Sequence, residues 1–148
     1  SCTGGLISSM ITQVSGASEL FEAGFVTYSN NMKTKLLGVP EQLLKKHGAV
    51  SQEVVVAMAN GALKSSSAHY AIAVSGVAGP NGGSDGKPVG TVWLAWGTVE
   101  KMKSVCLLMP LPRQYFQKYV ASIGLDLVRR ELINSEEIPH YIVERQRK

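Results

Sequence analysis

Apolar residues recur at helical spacing in some stretches of this chain and in short continuous runs in others, and the two patterns predict different elements. Thr3 to about Val14 reads as a first helix ending at Ser15-Gly16. Phe25-Val26-Thr27-Tyr28 reads as a short buried strand, and Asn31 to Leu37 as a short helix stopped by Gly38. Pro40 stands where a helix can start, which gives a helix over Glu41 to His47 before Gly48. Ser51 caps a longer helix with Val55, Met58 and Ala62 on one face. Tyr70-Ala71-Ile72-Ala73-Val74 is an apolar run followed directly by a glycine-rich loop. Pro88 to Thr98 and Met102 to Leu108 predict two adjacent strands, joined near Glu100-Lys101 as a hairpin. The last predicted element is an amphipathic helix from about Pro112 to Ile133, with Phe116, Val120, Ile123 and Leu127 facing the core.

Helices alternating with strands in the first half imply parallel pairing, and the closing hairpin adds an antiparallel pair. The expected fold is therefore α/β: a three-layer α/β/α arrangement around a mixed, mostly parallel central sheet. Loops at the carboxyl ends of parallel strands are the usual ligand sites in such folds. Two loops qualify: Ser29-Asn30, and Ser75-Gly76-Val77-Ala78-Gly79-Pro80-Asn81-Gly82-Gly83.

Composition narrows the class. At 148 residues, 45% hydrophobic and 18% charged, the chain fits one soluble globular domain with a real core. No apolar run approaches the roughly 18–20 residues of a membrane span, and no membrane partner is expected. Cys2 and Cys106 fit neither a disulfide framework nor a zinc pattern, so a reducing cytoplasm is the expected location. The net charge of +4 comes from scattered basic residues rather than a nucleic-acid patch, so no nucleic-acid partner is expected. The one dense group, Arg145-Gln146-Arg147-Lys148, reads as a solvated, frayed terminus.

Chemistry concentrates in three places. Ser1-Cys2-Thr3-Gly4-Gly5 sets hydroxyls and glycines at a helix start, where backbone N–H groups can hold an anion or an oxyanion. An ordinary N-cap has the same composition. The glycine-rich loop is neither a Walker A sequence nor a G-x-G-x-x-G fingerprint. It reads either as a tight connection or as a backbone nest for a phosphate or ribose. Lys33 is either a solvated lysine or, if buried near Ser1, a neutral base for a Ser/Lys pair. His47, His69 and His140 have no motif neighbour, and Asp85 and Asp126 have no evident partner. Cys2 is an alternative nucleophile, although a buried structural thiol is the commoner role. No spacing suggests a metal site.

Together these stretches resemble the C-terminal domain of the CinA family, the bacterial nicotinamide-nucleotide amidases. The matching segments are Ser1-Cys2-Thr3-Gly4-Gly5, Gly24 to Asn30 with Lys33, Gly48-Ala49-Val50-Ser51, Ser75 to Pro80 with Gly82-Gly83, and Lys87 to Trp93. The resemblance implies an amidohydrolase that converts nicotinamide mononucleotide and water to nicotinic acid mononucleotide and ammonia, without metal or cofactor. It implies Ser1 as nucleophile and Lys33 as general base, with the backbone of Thr3, Gly4 and Gly5 at the oxyanion. Tyr28, Asn30, Ser75, Gly76, Gly79 and Arg113 are the implied substrate-binding residues. Arg113 is the weaker match, because Leu111-Pro112-Arg113-Gln114 is less polar than the corresponding family segment.

Family members carry a helix and a strand before the first motif. The chain is thus expected to be one domain over residues 1–148 that lacks both. An N-terminal nucleophile using its own α-amino group is a further option at Ser1. The small-molecule substrate is the expected partner, and self-association into a homo-oligomer is expected through exposed helices. The alternative from another class is a catalytically silent binding or regulatory module linked to competence or DNA damage.

Overall fold

The computed structural model describes residues 2–147. Helix α1 spans Leu6–Thr12, α2 Asn30–Leu37, α3 Glu41–His47 and α4 Gln52–Lys64. Strands β1 (Ala71–Gly76), β2 (Thr91–Gly97) and β3 (Met102–Leu108) follow, then α5 (Arg113–Leu132) and α6 (His140–Arg145). The elements expected over Glu41–His47 and Met102–Leu108 coincide with α3 and β3, and α4 begins after its Ser51 cap as expected. Helix α1 is shorter than the stretch to Val14 that its pattern suggested, and a turn of 3-10 helix at Ala17–Glu19 follows it.

The sheet corrects the expected topology. It is three-stranded in the order β1-β2-β3, and both pairings are antiparallel. A parallel pair needs a crossover that carries the chain back across the sheet. Here Val77 N–H donates to Thr91 O and Gly90 N–H to Val77 O, both at 2.8 Å, so the whole stretch between them closes as a wide hairpin loop. The strand expected at Phe25–Tyr28 is a second correction. Residues 21–28 form neither helix nor strand, and of Phe25 to Tyr28 only Thr27 is buried. An extended segment becomes a strand by pairing, and this one has no ladder partner among the described residues.

Alternation along the strands sorts the core. Val74, Val92, Leu94, Trp96, Val105 and Leu107 pack against Phe116, Val120, Ile123 and Leu127 of α5. Ala73 and Ala95 face the other way, toward Val54, Val55, Met58 and Ala59 of α4 and Leu37 of α2. Helices therefore cover both faces of the small sheet. Gly61 sets how closely α2 approaches α4, since a Cβ there would lie 1.9 Å from Leu37 O. The carboxyl end is also more ordered than its charge pattern suggested. Arg147 N–H donates to Cys106 O at 3.0 Å, and Gln146 bridges to Leu107. Asp126, for which the sequence offered no partner, accepts hydrogen bonds from Arg129, Arg130 and Tyr141, and so ties α6 to α5. Partial burial pulls the Asp126 carboxyl upward, but those hydrogen bonds outweigh it and hold it below the usual carboxylate range.

Candidate active site

Helix α2 is positioned from both ends. Ser29 Oγ accepts from Met32 N–H at 3.2 Å as the N-cap, and Gly38 ends the helix in the left-handed region at φ 65°. Its two buried residues, Lys33 and Leu37, are four apart and share one face. A position with core spacing is thus filled by a lysine, only 2% exposed. Lys33 Nζ donates to Thr27 O at 2.9 Å. Burial pushes its amine below the ordinary lysine range, although charge on Cys2 would act in the opposite sense. The Cys2 thiol is itself pushed up by burial.

Lys33 lines a polar cavity of about 230 Å³ together with Cys2, Tyr28, Asn30, Ser75, Gly76 and Arg113. Five parts of the chain meet there: the N-terminal turn, the start of α2 with Tyr28 before it, the turn before α4, the end of β1 with the loop after it, and the start of α5. The N-terminal turn is held by Gln117 of α5, whose side-chain amide donates to Cys2 O at 3.0 Å. The end of β1 supplies Ser75, 2% exposed, whose hydroxyl donates to Ala49 O at 2.7 Å. Arg113, the first residue of α5, spans two walls: one amino group donates to Gly79 O at 2.9 Å and the other to Tyr28 Oη at 3.1 Å. The hairpin loop is held from the far side, where Lys87 Nζ donates to His47 O at 2.6 Å.

The expected site residues do not all converge. Ser1 lies outside the described residues. Thr3 is buried, and Gly4 and Gly5 adopt φ of 62° and 92°, a left-handed turn that favours glycine. Thr3 and Gly5 line a neighbouring cavity of about 640 Å³ that is walled mostly by apolar residues such as Ile7, Phe21, Ile72 and Val128. Gly79 is not among the residues that line the polar cavity, and its carbonyl instead accepts from Arg113. That carbonyl, an acceptor, is opposite in polarity to the N–H groups of an anion nest. Sequence reasoning missed Gln117, which meets Cys2 across 115 positions and leaves no local signal. Ala49 and Val50, which also line the cavity, belong to a stretch that carried the resemblance without a role. Among the described residues, no group of three or more His, Cys, Asp or Glu side chains could hold a metal ion. No helix there is long and apolar enough to cross a membrane.

Comparison with known proteins gives the site a context. Residues 1–132 match the family model described as the CinA C-terminal domain. A CinA-like protein of Colwellia psychrerythraea is 61% identical over 145 residues, 98% of this chain and 34% of that protein. The nicotinamide-nucleotide amidohydrolase PncC of Pseudomonas putida is 67% identical over 97 residues, 66% of this chain and 61% of that protein. The chain thus spans about a third of the length of the first relative. The crystal structure of a competence/damage inducible protein, CihA, from Agrobacterium tumefaciens superposes with a TM-score of 0.84 at 39% identity. The match covers 86% of this chain and 79% of that one.

Proposed function

The chain belongs to the CinA C-terminal domain family, and on that premise we propose that it hydrolyses the carboxamide of nicotinamide mononucleotide to the acid and ammonia. The observation that carries the reading is Lys33: a buried amine whose protonation is disfavoured, facing a small polar cavity beside the first motif. The identity with a nicotinamide-nucleotide amidohydrolase supports the substrate class.

In the proposed mechanism neutral Lys33 takes the hydroxyl proton of Ser1 as the oxygen attacks the carboxamide carbon. The developing oxyanion is met by backbone N–H groups of the Thr3–Gly5 turn, where losing one such donor typically costs about 2.7–4 kcal/mol. The protonated lysine then returns the proton to the departing nitrogen, which leaves as ammonia. Water, deprotonated by the same amine, cleaves the acyl-enzyme and releases the acid. Tyr28, Asn30 and Gly76 shape the substrate pocket, Gly79 acts through the carbonyl that orients Arg113, and Arg113 is the cation for the substrate phosphate.

Acid quenching during turnover, followed by peptide mass mapping, tests the assignment. An acyl group on Ser1 that disappears in Ser1→Ala is expected. An adduct on Cys2 would transfer the nucleophile to the thiol, and turnover by Ser1→Ala at the wild-type rate would remove Ser1 from the chemistry.

A further inference from the structure

We propose that Ser75 is a specificity-determining residue, one that separates carboxamide substrate from carboxylate product by offering the pocket a hydrogen-bond acceptor and no donor. The inference rests on the amidase reading above and deepens it.

A hydroxyl has one hydrogen and two lone pairs, and it ordinarily rotates to suit whatever faces it. Ser75 lacks that freedom. Its Oγ lies 2.7 Å from Ala49 O, and a carbonyl cannot donate, so the Ser75 hydrogen is committed to that bond. Both ends of the bond are fixed. Ala49 precedes the capping residue Ser51, whose own hydroxyl donates to Gly48 O at 2.9 Å. Ser75 sits in the β1–β2 ladder opposite Trp93, one residue before Gly76 and two before the Val77–Thr91 bond that closes the hairpin. Ser75 and Ala49 line the same cavity as Lys33 and Arg113. What remains to be offered there by the hydroxyl is lone pairs.

Amide and acid differ in the group that would meet them. A carboxamide brings an NH₂ with two hydrogens, whereas a carboxylate brings acceptors alone. The amide therefore satisfies Ser75, while the acid sets oxygen lone pairs against oxygen lone pairs and leaves both without a donor. Discrimination by an unfavourable contact with the wrong partner is as effective as an added favourable one. One neutral hydrogen bond of this kind corresponds to about a tenfold difference in affinity. The same contact favours release of the product once the nitrogen has left.

The test compares KM for nicotinamide mononucleotide with the product-inhibition constant of nicotinic acid mononucleotide, in wild type, Ser75→Ala and Ser75→Thr, with thermal melts to verify folding. The wild type is expected to bind the acid at least about tenfold more weakly than the amide. Ser75→Ala should bring the ratio of the two constants toward one, and Ser75→Thr, which keeps the hydroxyl, should preserve it. Equal shifts of both constants in Ser75→Ala would mean that Ser75 merely anchors Ala49, and would overturn the proposal. If Ser75→Ala does not fold, the wild-type ratio decides: acid binding as tight as amide binding overturns it. Absence of turnover in the wild type would instead refute the amidase reading itself.

Discussion

Replacing Lys33 by Met separates its chemical role from its structural one. Methionine keeps a long apolar stem in the buried position, so the volume change is small and its packing cost stays below about 1.5 kcal/mol. The Nζ bond to Thr27 O, 2.9 Å long, is lost, and an unsatisfied buried carbonyl costs about 1–3 kcal/mol. Against this, the variant no longer buries an amine whose charged form the site disfavours. The opposing effects leave a net change of about 1–2 kcal/mol, or roughly 2–8 °C in Tm for a chain of this size. Activity should fall far more. Positioned general-base catalysis contributes about 10²–10⁴-fold, and a fall of that size in kcat/KM with a modest Tm change is the expected result.

The pH dependence adds a second reading of the same variant. Because burial lowers the Lys33 pKa, activity in the wild type should rise with pH and level off below the ordinary lysine range. The stability sign follows from proton counts. Between the lowered folded pKa and the unfolded value, the unfolded chain binds a proton that the folded chain does not, so stability rises with pH across that window. Below the window both states are protonated and the penalty is full; above it both are neutral and the penalty is gone. Lys33→Met should lose both the activity limb and this stability slope. A variant that keeps more than about a tenth of wild-type kcat/KM, against the range above, or retains the acid limb, would refute the role of Lys33.

Three other outcomes follow from the packing. Gly61→Ala would ordinarily favour a helix by about 1 kcal/mol, but its Cβ would meet Leu37 O. A destabilisation of about 1–3 kcal/mol in denaturant titration is expected, with reduced kcat because Leu37 and Lys33 move as one helix. Arg113→Lys cannot hold Gly79 O and Tyr28 Oη at once. It should raise KM for the nucleotide by about 10- to 100-fold and leave KM for the unphosphorylated riboside nearly unchanged, as steady-state kinetics would show. Asp126→Asn weakens the ties to Arg129, Arg130 and Tyr141 and should cost about 1–2 kcal/mol. The wild-type advantage, present above the unfolded carboxyl pKa, should fade as pH falls through the lowered folded one.

Where local chemistry decides the structure, the sequence was readable. Ser51 at an N-cap, Gly38 and Gly48 after short helices, and the periodic apolar face from Phe116 to Leu127 lead to the elements observed. Strand pairing was not readable in the same way, since the alternation of helices and strands resembles crossover units. Two hydrogen bonds at the base of a hairpin, between Val77, Gly90 and Thr91, decide the antiparallel outcome. Within the site, Lys33 was legible only through its motif; its own chemistry fitted a solvated lysine equally well, and the face it shares with buried Leu37 emerges from the packing. Ser75 was legible as a hydroxyl but not as an acceptor, because the direction of its bond depends on Ala49, 26 positions away. Long-range anchors such as Gln117 and Lys87 have no local signature at all.

The most direct test of the central claim is to incubate the purified protein with nicotinamide mononucleotide and quantify ammonia and nicotinic acid mononucleotide together. Both are expected to form at equal rates in the wild type and to slow together by about a hundredfold or more in Lys33→Met. A protein that binds the nucleotide and releases neither product would contradict that claim.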